Sequence, residues 1–353
     1  MSEHIYSTIR KDFLKSLIAL LILLMMNFFS WQVMRTAVMN NVRERFMSES
    51  QFLKTLMQDR IKGYVQNVKE GKRWFRIDDT MTRKEFDDYF QAIKEEDVGE
   101  GMEGILYVAK VTALDKDSFV DKVRQDKATT PYGYPFFNIH VSEEKKEYYV
   151  VNYMVPHETF KNFFGNDIGL DPTLNTYFDQ ARDSGDIIVT PELQLFNLKR
   201  MLIVQPIYSG SITAADTKEK KQQQLKGFVV SVLKADSLFD GLLKDSTNPM
   251  SYAVYDGKLS EDMLPKNIAF YEDSNETVGM TKKEDLFISI SSFTFADRIF
   301  TVFFSSKPTL GNGIIERNIP DIFLIVTSVL SCVMFLLMNS FIRIYEDEKS
   351  PSL

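Results

Sequence analysis

The residue types that most often carry catalysis or bind metals are few in this sequence of 353 residues. The three histidines, His4, His140 and His157, do not form a zinc-binding H-x-x-x-H or H-E-x-x-H motif. Gly165 and Gly169 lack the Lys-Ser/Thr pair of a phosphate-binding loop, and no serine stands in a G-x-S-x-G motif. The sequence therefore predicts no enzyme active site and no metal or cofactor site.

Small-molecule binding fits the sequence better, because a ligand pocket needs apolar walls and a few placed polar groups. Aromatic side chains recur on predicted strands, with charged residues in the loop and helix between them. The predicted ligand-binding residues are Tyr107, Phe137, Tyr149, Tyr153, Asp167, Asp171, Arg182 and Tyr208. Other roles stay open, since the aromatic residues can fill the core, Asp171 can cap a helix, and Arg182 can favour the negative end of that helix.

The elements that would position these residues alternate between helices and strands. Thr82 and Glu85 form a capping box at the start of one helix. Asp171-Pro172 opens another helix, which Gly185 closes. The polar run 217–224 (TKEKKQQQ) is predicted to be a loop, because it has nothing to bury. Short apolar runs predict strands at 105–108, 136–141, 148–154, 187–190, 201–208 and 227–233, with a charged helix at 117–125.

A second, smaller unit is predicted to begin near Met250. Asp256-Gly257 is a hairpin signal between strands. Residues 286–295 alternate as a strand does, and 298–304 is the predicted partner across the turn at Ala296-Asp297. Helices mixed with antiparallel strands predict an α+β fold class with two sensor-type units.

Two apolar stretches, at 14–33 and 321–344, are long enough to cross a bilayer as helices. The net basic first fifteen residues favour a cytoplasmic N-terminus, and a second crossing returns the C-terminus to the same side. A cleaved signal peptide is the alternative for the first stretch, but no small-x-small site follows it, and Trp31 suits a retained anchor. The sequence thus predicts a two-pass protein of the inner (cytoplasmic) membrane with an extracytoplasmic central domain.

The net charge argues against one class of partner, and the cysteine content argues against disulfide bonds. The net charge is −7 and no basic stripe is present, which argues against nucleic-acid binding. Cys332 is the single cysteine and lies in the second apolar stretch, so the central region has no disulfide.

A long helix is predicted to follow the first apolar stretch, because apolar residues recur every three or four positions from Met34 onward. Its apolar face either lies on its own domain or pairs with the same helix of a second copy. We expect the second arrangement, a homodimer through this stalk helix.

Seven short motifs occur in a fixed order between residues 81 and 229. They are 81–86 (MTRKEF), 104–111 (GILYVAKV), 148–156 (YYVVNYMVP), 169–171 (GLD), 181–185 (ARDSG), 205–208 (QPIY) and 227–229 (GFV). In this order they resemble the CHASE domain, the extracytoplasmic sensor of plant cytokinin receptors and of many bacterial histidine kinases and diguanylate cyclases. The resemblance implies a long stalk helix plus two PAS-like units, with a small molecule held in the membrane-distal one. Cytokinin-binding members carry an acidic residue where Lys146 stands here, so cytokinin is not the implied ligand.

The resulting prediction is a membrane-anchored sensor of a small extracytoplasmic molecule, with its two PAS-like units flanked by two transmembrane helices. Its output module is expected to be missing or to be supplied in trans by a separate cytoplasmic kinase or cyclase. The alternative is a structural or assembly protein of the cell envelope that uses the domain as a protein-docking surface. The predicted segments are a cytoplasmic N-terminus (1–13), transmembrane helix 1 (14–33), the stalk (34–77), the distal unit (78–233), the proximal unit (234–312), the hinge with transmembrane helix 2 (313–344) and a cytoplasmic tail (345–353).

Overall fold

A computed structural model describes residues 2–77, 81–95, 101–140, 143–195, 198–242, 250–260, 271–272, 287–306 and 314–349. The chain divides into two compact units. One consists of residues 1–49, 283–287 and 306–353, and the other of residues 50–282 and 288–305.

The first unit contains the two apolar stretches. They lie in helices Ser2–Ile77 (α1) and Ile314–Lys349 (α7), each of which includes a segment long and apolar enough to cross a membrane. Two polar contacts join these helices: Asn27 Nδ2 donates to Ser331 Oγ at 3.1 Å, and Trp31 Nε1 donates to Asp321 Oδ1 at 2.7 Å. Such contacts suit paired membrane helices, because a polar side chain in lipid needs a partner.

The second unit is built around a large antiparallel sheet. Its strands are Met102–Thr112 (β1), Glu147–Val155 (β2), Ile188–Val189 (β3), Leu193–Leu195 (β4), Leu198–Tyr208 (β5) and Leu225–Lys234 (β6). Their order is β2-β1-β6-β5-β3, and β4 also pairs with β5. Every pairing in this sheet is antiparallel.

Five further helices belong to this unit: Arg83–Glu95 (α2), Lys116–Arg124 (α3), His157–Phe160 (α4), Pro172–Ser184 (α5) and Lys218–Gln224 (α6). The predicted capping box of α2 is confirmed, since Glu85 Oε2 accepts the Thr82 N–H at 2.7 Å and Thr82 Oγ1 accepts the Glu85 N–H at 3.3 Å. The predicted bounds of α5 are also confirmed. Asp171 caps its start, and Gly185 ends it with a left-handed φ of 81°.

The two faces of the large sheet carry different partners. Leu106, Leu202 and Val230 belong to one face and pack in the same cluster as α5. On the other face, the ring of Tyr107 stacks on Phe75 of α1 with centroids 4.3 Å apart. One turn earlier in α1, a side chain at Gly71 would lie 3.2 Å from Val229, so the helix backbone approaches the sheet closely. Over this segment α1 therefore lies on its own domain, while homodimer formation through the stalk stays a prediction.

A smaller sheet completes the second unit. Its strands are Met250–Asp256 (β7), Tyr271–Glu272 (β8), Ile288–Phe295 (β9) and Arg298–Ser306 (β10), in the order β8-β7-β10-β9. The predicted turn at Ala296-Asp297 is confirmed, because Phe295 pairs directly with Arg298. The two sheets are linked at this turn, where Asp297 Oδ1 accepts the backbone N–H of Val189 in β3 at 3.0 Å. The α+β fold class with a long helix is therefore confirmed.

The predicted strand at 136–141 is wrong. Residues 136–140 form a turn and a loop whose only ladder contact is a single bridge between His140 and Asn166, and Val141 lies outside the described residues. Phe137 and Ile139 alternate as in a strand, but they are buried by side-chain packing against α3 and β2. The apolar spacing of Phe137 and Ile139 thus reflects the burial of their side chains and not membership of a strand.

Two turn or loop predictions are also wrong. The run 217–224 contains α6, which Thr217 caps and whose Lys221 is buried and donates to Ser184 O at 2.9 Å. Its Lys, Glu and Gln residues are good helix formers, a property that polarity alone conceals. Asp256-Gly257 lies between two paired antiparallel strands, β7 and β8, but it is not a tight hairpin turn, since β8 begins only at Tyr271 and the Gly257 N–H donates to Ile299 O of β10.

Candidate functional site

A cavity of about 460 Å³ lies on the α5 face of the large sheet. Volumes of this size are typical of small-molecule sites. Strands β1, β4, β5 and β6, helix α5 and the segment from α4 to α5 supply its apolar walls. The apolar lining residues are Leu106, Phe160, Phe163, Ile168, Leu170, Leu174, Leu195, Leu202, Val230 and Val232.

Asp167 is the most buried acidic group at this cavity, with 4% of its surface exposed. Its Oδ1 accepts the N–H groups of Tyr149 and Gly169 at 2.9 and 3.0 Å. Its Oδ2 lies 3.3 Å from Lys145 Nζ, which also donates to Gly169 O at 2.8 Å. The carboxylate therefore fixes the loop before α5 to strand β2, and its charge is matched by Lys145.

Arg200 of β5 places a buried guanidinium beside the same cavity. Its Nε and Nη2 donate to the two oxygens of Glu103 at 2.6 and 2.8 Å, and its Nη1 donates to Leu195 O. Both side chains are nearly buried, at 6% and 10% exposure. Such a bidentate pair is needed because an unpaired charge in this position would be strongly destabilising.

The remaining polar lining groups are His140, Asn166, Asp171 and Gln194. Asn166 Nδ2 donates to Asn162 O at 3.2 Å, so its Oδ1 is the acceptor in the 2.8 Å contact with His140 Nδ1. In a neutral ring with this arrangement the proton is on Nδ1, and Nε2 is the acceptor. Asp171 Oδ1 accepts the N–H groups of Thr173 and Leu174 at 2.8 and 3.1 Å.

The structure separates the eight sequence-predicted site residues into four places. Asp167 and Asp171 line the cavity. Phe137 lies in a different cluster under α3, where its ring contacts those of Phe119 and Phe164. Their roles in ligand binding stay predictions.

Tyr149, Arg182 and Tyr208 meet at the C-terminal end of α5. Arg182 Nη1 donates to the Tyr149 hydroxyl at 2.9 Å, and the Tyr208 hydroxyl donates to Arg182 O at 2.5 Å. Burial raises the pKa of Tyr149 and of Tyr208, so both phenols are neutral donors or acceptors. Burial opposes ionisation of Asp183, but hydrogen bonds led by that from Arg182 outweigh it and lower the Asp183 pKa to about 2.

Tyr107 and Tyr153 lie on the opposite face of the sheet from the cavity. Their rings are 5.5 Å apart, and Tyr153 donates to Met81 O at 3.1 Å. The Arg83 guanidinium lies over the Tyr153 ring at 4.7 Å and forms an ion pair with Asp126 at 3.1 Å. These residues connect the start of α2 to the sheet and to the loop after α3.

Sequence reasoning missed Arg200 and Glu103, and it considered His140 only for a catalytic or metal-binding role. A partial signal for the first two was present, because each is a charged residue near the start of a mostly apolar strand, and buried charges occur in pairs. No group of acidic, histidine or cysteine side chains suited to a metal ion occurs among the described residues.

A second cavity, of about 440 Å³, adjoins the link between the two sheets. Its lining includes Lys69 and Lys72 of α1, the segment 185–187 that joins α5 to β3, and Ala296-Asp297 of the small sheet. The hydrogen bond from Val189 to Asp297 therefore has open space beside it.

The family model of the CHASE domain matches residues 79–266. Every residue that lines the 460 Å³ cavity lies within this range. The match confirms the resemblance inferred from the motifs and covers more than half of the chain. Among curated proteins, the sequence has no match.

Three solved structures of bacterial sensors are similar to this chain at low identity. An extracellular ligand-binding receptor from Desulfohalobium retbaense has 7% identity and a TM-score of 0.40, covering 79% of this chain and 40% of that one. The ligand-binding domain of a Pseudomonas aeruginosa amino acid chemoreceptor, in complex with GABA, has 9% identity and a TM-score of 0.36, covering 71% and 94%. The periplasmic sensory domain of a Campylobacter jejuni chemoreceptor has 11% identity and a TM-score of 0.41, covering 77% and 97%. The present chain thus spans 40% of the length of the first of these receptors.

Proposed function

Because the chain belongs to the CHASE domain family, we propose that it is a membrane-anchored sensor that binds a small molecule in the 460 Å³ cavity. The cavity itself is the observation that carries this proposal. It combines apolar walls with a few fixed polar groups, as ligand sites do. It also lies inside the segment that defines a family of sensors rather than of catalysts.

The proposed topology places the cavity outside the cytoplasmic membrane and both chain ends inside. The basic N-terminal residues and the two apolar helices support it. The Trp31 indole bonded to Asp321 suits a boundary between lipid and water. A Tyr132→Cys variant tests this arrangement, since Tyr132 is 86% exposed. A membrane-impermeant maleimide should label it in intact cells, whereas Ser352→Cys should react only after lysis.

Transmission is proposed to run from the cavity through α5 to the small sheet. Leu174 of α5 lines the cavity, and Gly185 leads from the other end of this helix into β3. The Val189 N–H of β3 bonds Asp297 in the small sheet, and the chain continues from β10 toward α7. A ligand can shift this system only by binding one of two arrangements more tightly than the other.

Homodimer formation and a cytoplasmic partner complete the proposal. Met47 and Phe52 of α1 are exposed apolar side chains, which supports pairing with a second copy. The expected output is a cytoplasmic kinase or cyclase, as in other CHASE receptors.

The test is a thermal-shift screen of the full chain, in detergent, against a library of small metabolites. A compound that binds the folded state should raise the melting temperature with rising concentration, by about 2.7 kcal/mol of stability at one hundred times its Kd. Leu195→Trp should fill the cavity and abolish this shift. Leu193→Trp is the matched control, because Leu193 is a similarly half-buried residue of the same strand that does not line the cavity.

Two outcomes would contradict the proposal. Equal ligand shifts in both tryptophan variants would place binding elsewhere. Stabilisation by a protein of the envelope, with none by any metabolite, would favour the assembly protein that uses this domain as a docking surface.

A further inference from the structure

The cationic groups at the cavity are already matched by acidic groups of the chain itself. Arg200 is held by both oxygens of Glu103, and its remaining nitrogen donates to Leu195 O. Lys145, which borders the site through Asp167, donates to that carboxylate and to a backbone carbonyl. An anion that entered the cavity would therefore meet no unmatched cation among the lining residues that the structure describes.

The N-terminus of α5 is also occupied. A helix N-terminus normally favours an anion, because its first N–H groups have no partner in the helix. Here the N–H groups of Thr173 and Leu174 are both bonded to Asp171 Oδ1. The chain thus supplies its own anion at the one place where a carboxylate or phosphate ligand would be expected.

Negative charge, by contrast, is left unmatched at Asp171, which forms no ion pair with any residue that the structure describes. The second oxygen of Asp171 accepts no hydrogen bond from any residue that the structure describes. In a neutral His140 ring whose Nδ1 donates to Asn166 Oδ1, the Nε2 atom is a second acceptor. Gln194 is a neutral amide that can donate or accept a hydrogen bond, so it favours neither an anionic nor a cationic ligand.

We propose that this cavity selects ligands that present a donor nitrogen, above all a protonated amine, on an apolar body, and that it rejects carboxylates. The amine would bond Asp171 Oδ2, with His140 Nε2 as a second acceptor, while the apolar body lies against Leu106, Leu174 and Val230. This inference rests on the proposed function. It adds the chemical class of the ligand, which neither the family nor the motifs supply.

The experiment compares ligands that differ only in their head group. The full chain in detergent is titrated calorimetrically with 3-phenylpropylamine, 3-phenylpropan-1-ol and 3-phenylpropanoate, and with the corresponding six-carbon alkyl series. We expect each amine to bind about tenfold more tightly than its alcohol, since a charged ammonium donor forms a stronger hydrogen bond to the Asp171 carboxylate than a neutral hydroxyl does. The carboxylates should bind most weakly.

Asp171→Asn is the matched variant. Asparagine caps helices as well as aspartate does, so α5 should keep its stability. The substitution replaces the acceptor Oδ2 by a donor and removes the negative charge. We expect amine affinity to fall about tenfold and carboxylate affinity to rise, a reversal that a merely unfolded site would not produce. His140→Phe keeps an aromatic ring at an exposed position and should weaken amine binding severalfold.

The outcomes separate the two proposals. Carboxylates that bind as well as amines, or an Asp171→Asn variant with unchanged amine affinity, would overturn the amine class and leave the sensor function standing. The same holds if the whole panel fails while another metabolite succeeds in the library screen. Failure of both the panel and the screen would overturn the sensor function as well.

Discussion

The two ends of α5 are held in very different ways. At the C-terminal end, Asp183 receives hydrogen bonds from Arg182 and Gln222 and an ion pair from Lys218 at 2.6 Å. Lys221 of α6 and Tyr208 of β5 bond the backbone carbonyls of the same turn. At the N-terminal end, beside the cavity, the exposed Asp171 provides the cap.

This difference indicates which part of the helix can respond to a ligand. An end held by several partly buried charged contacts resists displacement, because moving it breaks all of them together. The N-terminal end has one local cap, worth about 1 kcal/mol, and a preceding loop that Asp167 fixes to β2, so fewer charged contacts oppose its movement. We therefore expect α5 to pivot about its C-terminal turn when the cavity is filled.

The largest expected effect comes from removing the anchor. Asp183→Ala should destabilise the chain by about 2 kcal/mol, because several charged donors lose their shared acceptor. The melting temperature should fall by about 5 °C. Asp186→Ala, which removes an exposed carboxylate three residues later, should change it little. Equal effects of the two substitutions would show that the C-terminal end is not specially anchored.

Acid should weaken the same end. The pKa of Asp183 is about 2 in the folded chain, below its ordinary value of 3.8. A carboxylate with a depressed pKa stabilises the folded state above its unfolded pKa, and this contribution is lost as pH falls from about 4 to about 2. Partly buried Asp216, whose pKa is lowered to about 2 by Lys220 and Thr213, titrates in the same range.

The contribution of Asp183 to the acid response can be isolated with Asp183→Asn. Melting temperatures measured between pH 5 and pH 2 should fall less steeply in this variant than in the unmodified chain. The remaining slope would belong to Asp216 and other carboxylates. Identical slopes would contradict the anchoring role of the ionised Asp183.

The contact beyond the anchored end tests transmission. Asp297→Ala should cost about 1 kcal/mol, because the Val189 N–H loses its acceptor. Ligand affinity at the cavity should be nearly unchanged. Hydrogen exchange in β9 and β10 should no longer respond to ligand, whereas Asp297→Asn, which keeps an acceptor oxygen, should preserve part of the response. If ligand still changes hydrogen exchange in β9 and β10 of the Asp297→Ala variant, the proposed route of transmission through Asp297 is wrong.

The smallest effect is expected at the cavity end. Asp171→Ala removes the cap and should destabilise α5 by about 1 kcal/mol, whereas Asp171→Asn should cost only a few tenths. Hydrogen exchange at Thr173 and Leu174 should accelerate in the alanine variant without a change near Ser184. If exchange increases equally at both ends, the helix moves as one rigid piece.

Local signals in the sequence predicted both ends of α5 correctly, because specific residues begin and end this helix. Asp171-Pro172 and Gly185 act through hydrogen bonds to nearby backbone, and these need no knowledge of the rest of the chain. The capping box at Thr82 succeeded for the same reason. Alternation also placed β9 correctly, since it lies in an antiparallel sheet, and a short apolar run placed β2.

The failures concern contacts between distant segments. The alternation at Phe137 and Ile139 reflects burial against α3 and β2, and spacing alone does not reveal whether a neighbouring strand exists. The polar α6 is a helix partly because it docks on α5 through Lys221. The cavity was only partly foreseen: Asp167 and Asp171 came from one loop, whereas Arg200 and His140 reach it through the pairing of segments far apart in sequence.

The donor that β3 offers to Asp297 is a main-chain N–H. Any residue except proline supplies such a group. Substitutions in β3 other than to proline can therefore keep the link to the small sheet. The contact between the two sheets is thus independent of the side chains that β3 carries, so the sequence of β3 is free to change while the contact persists.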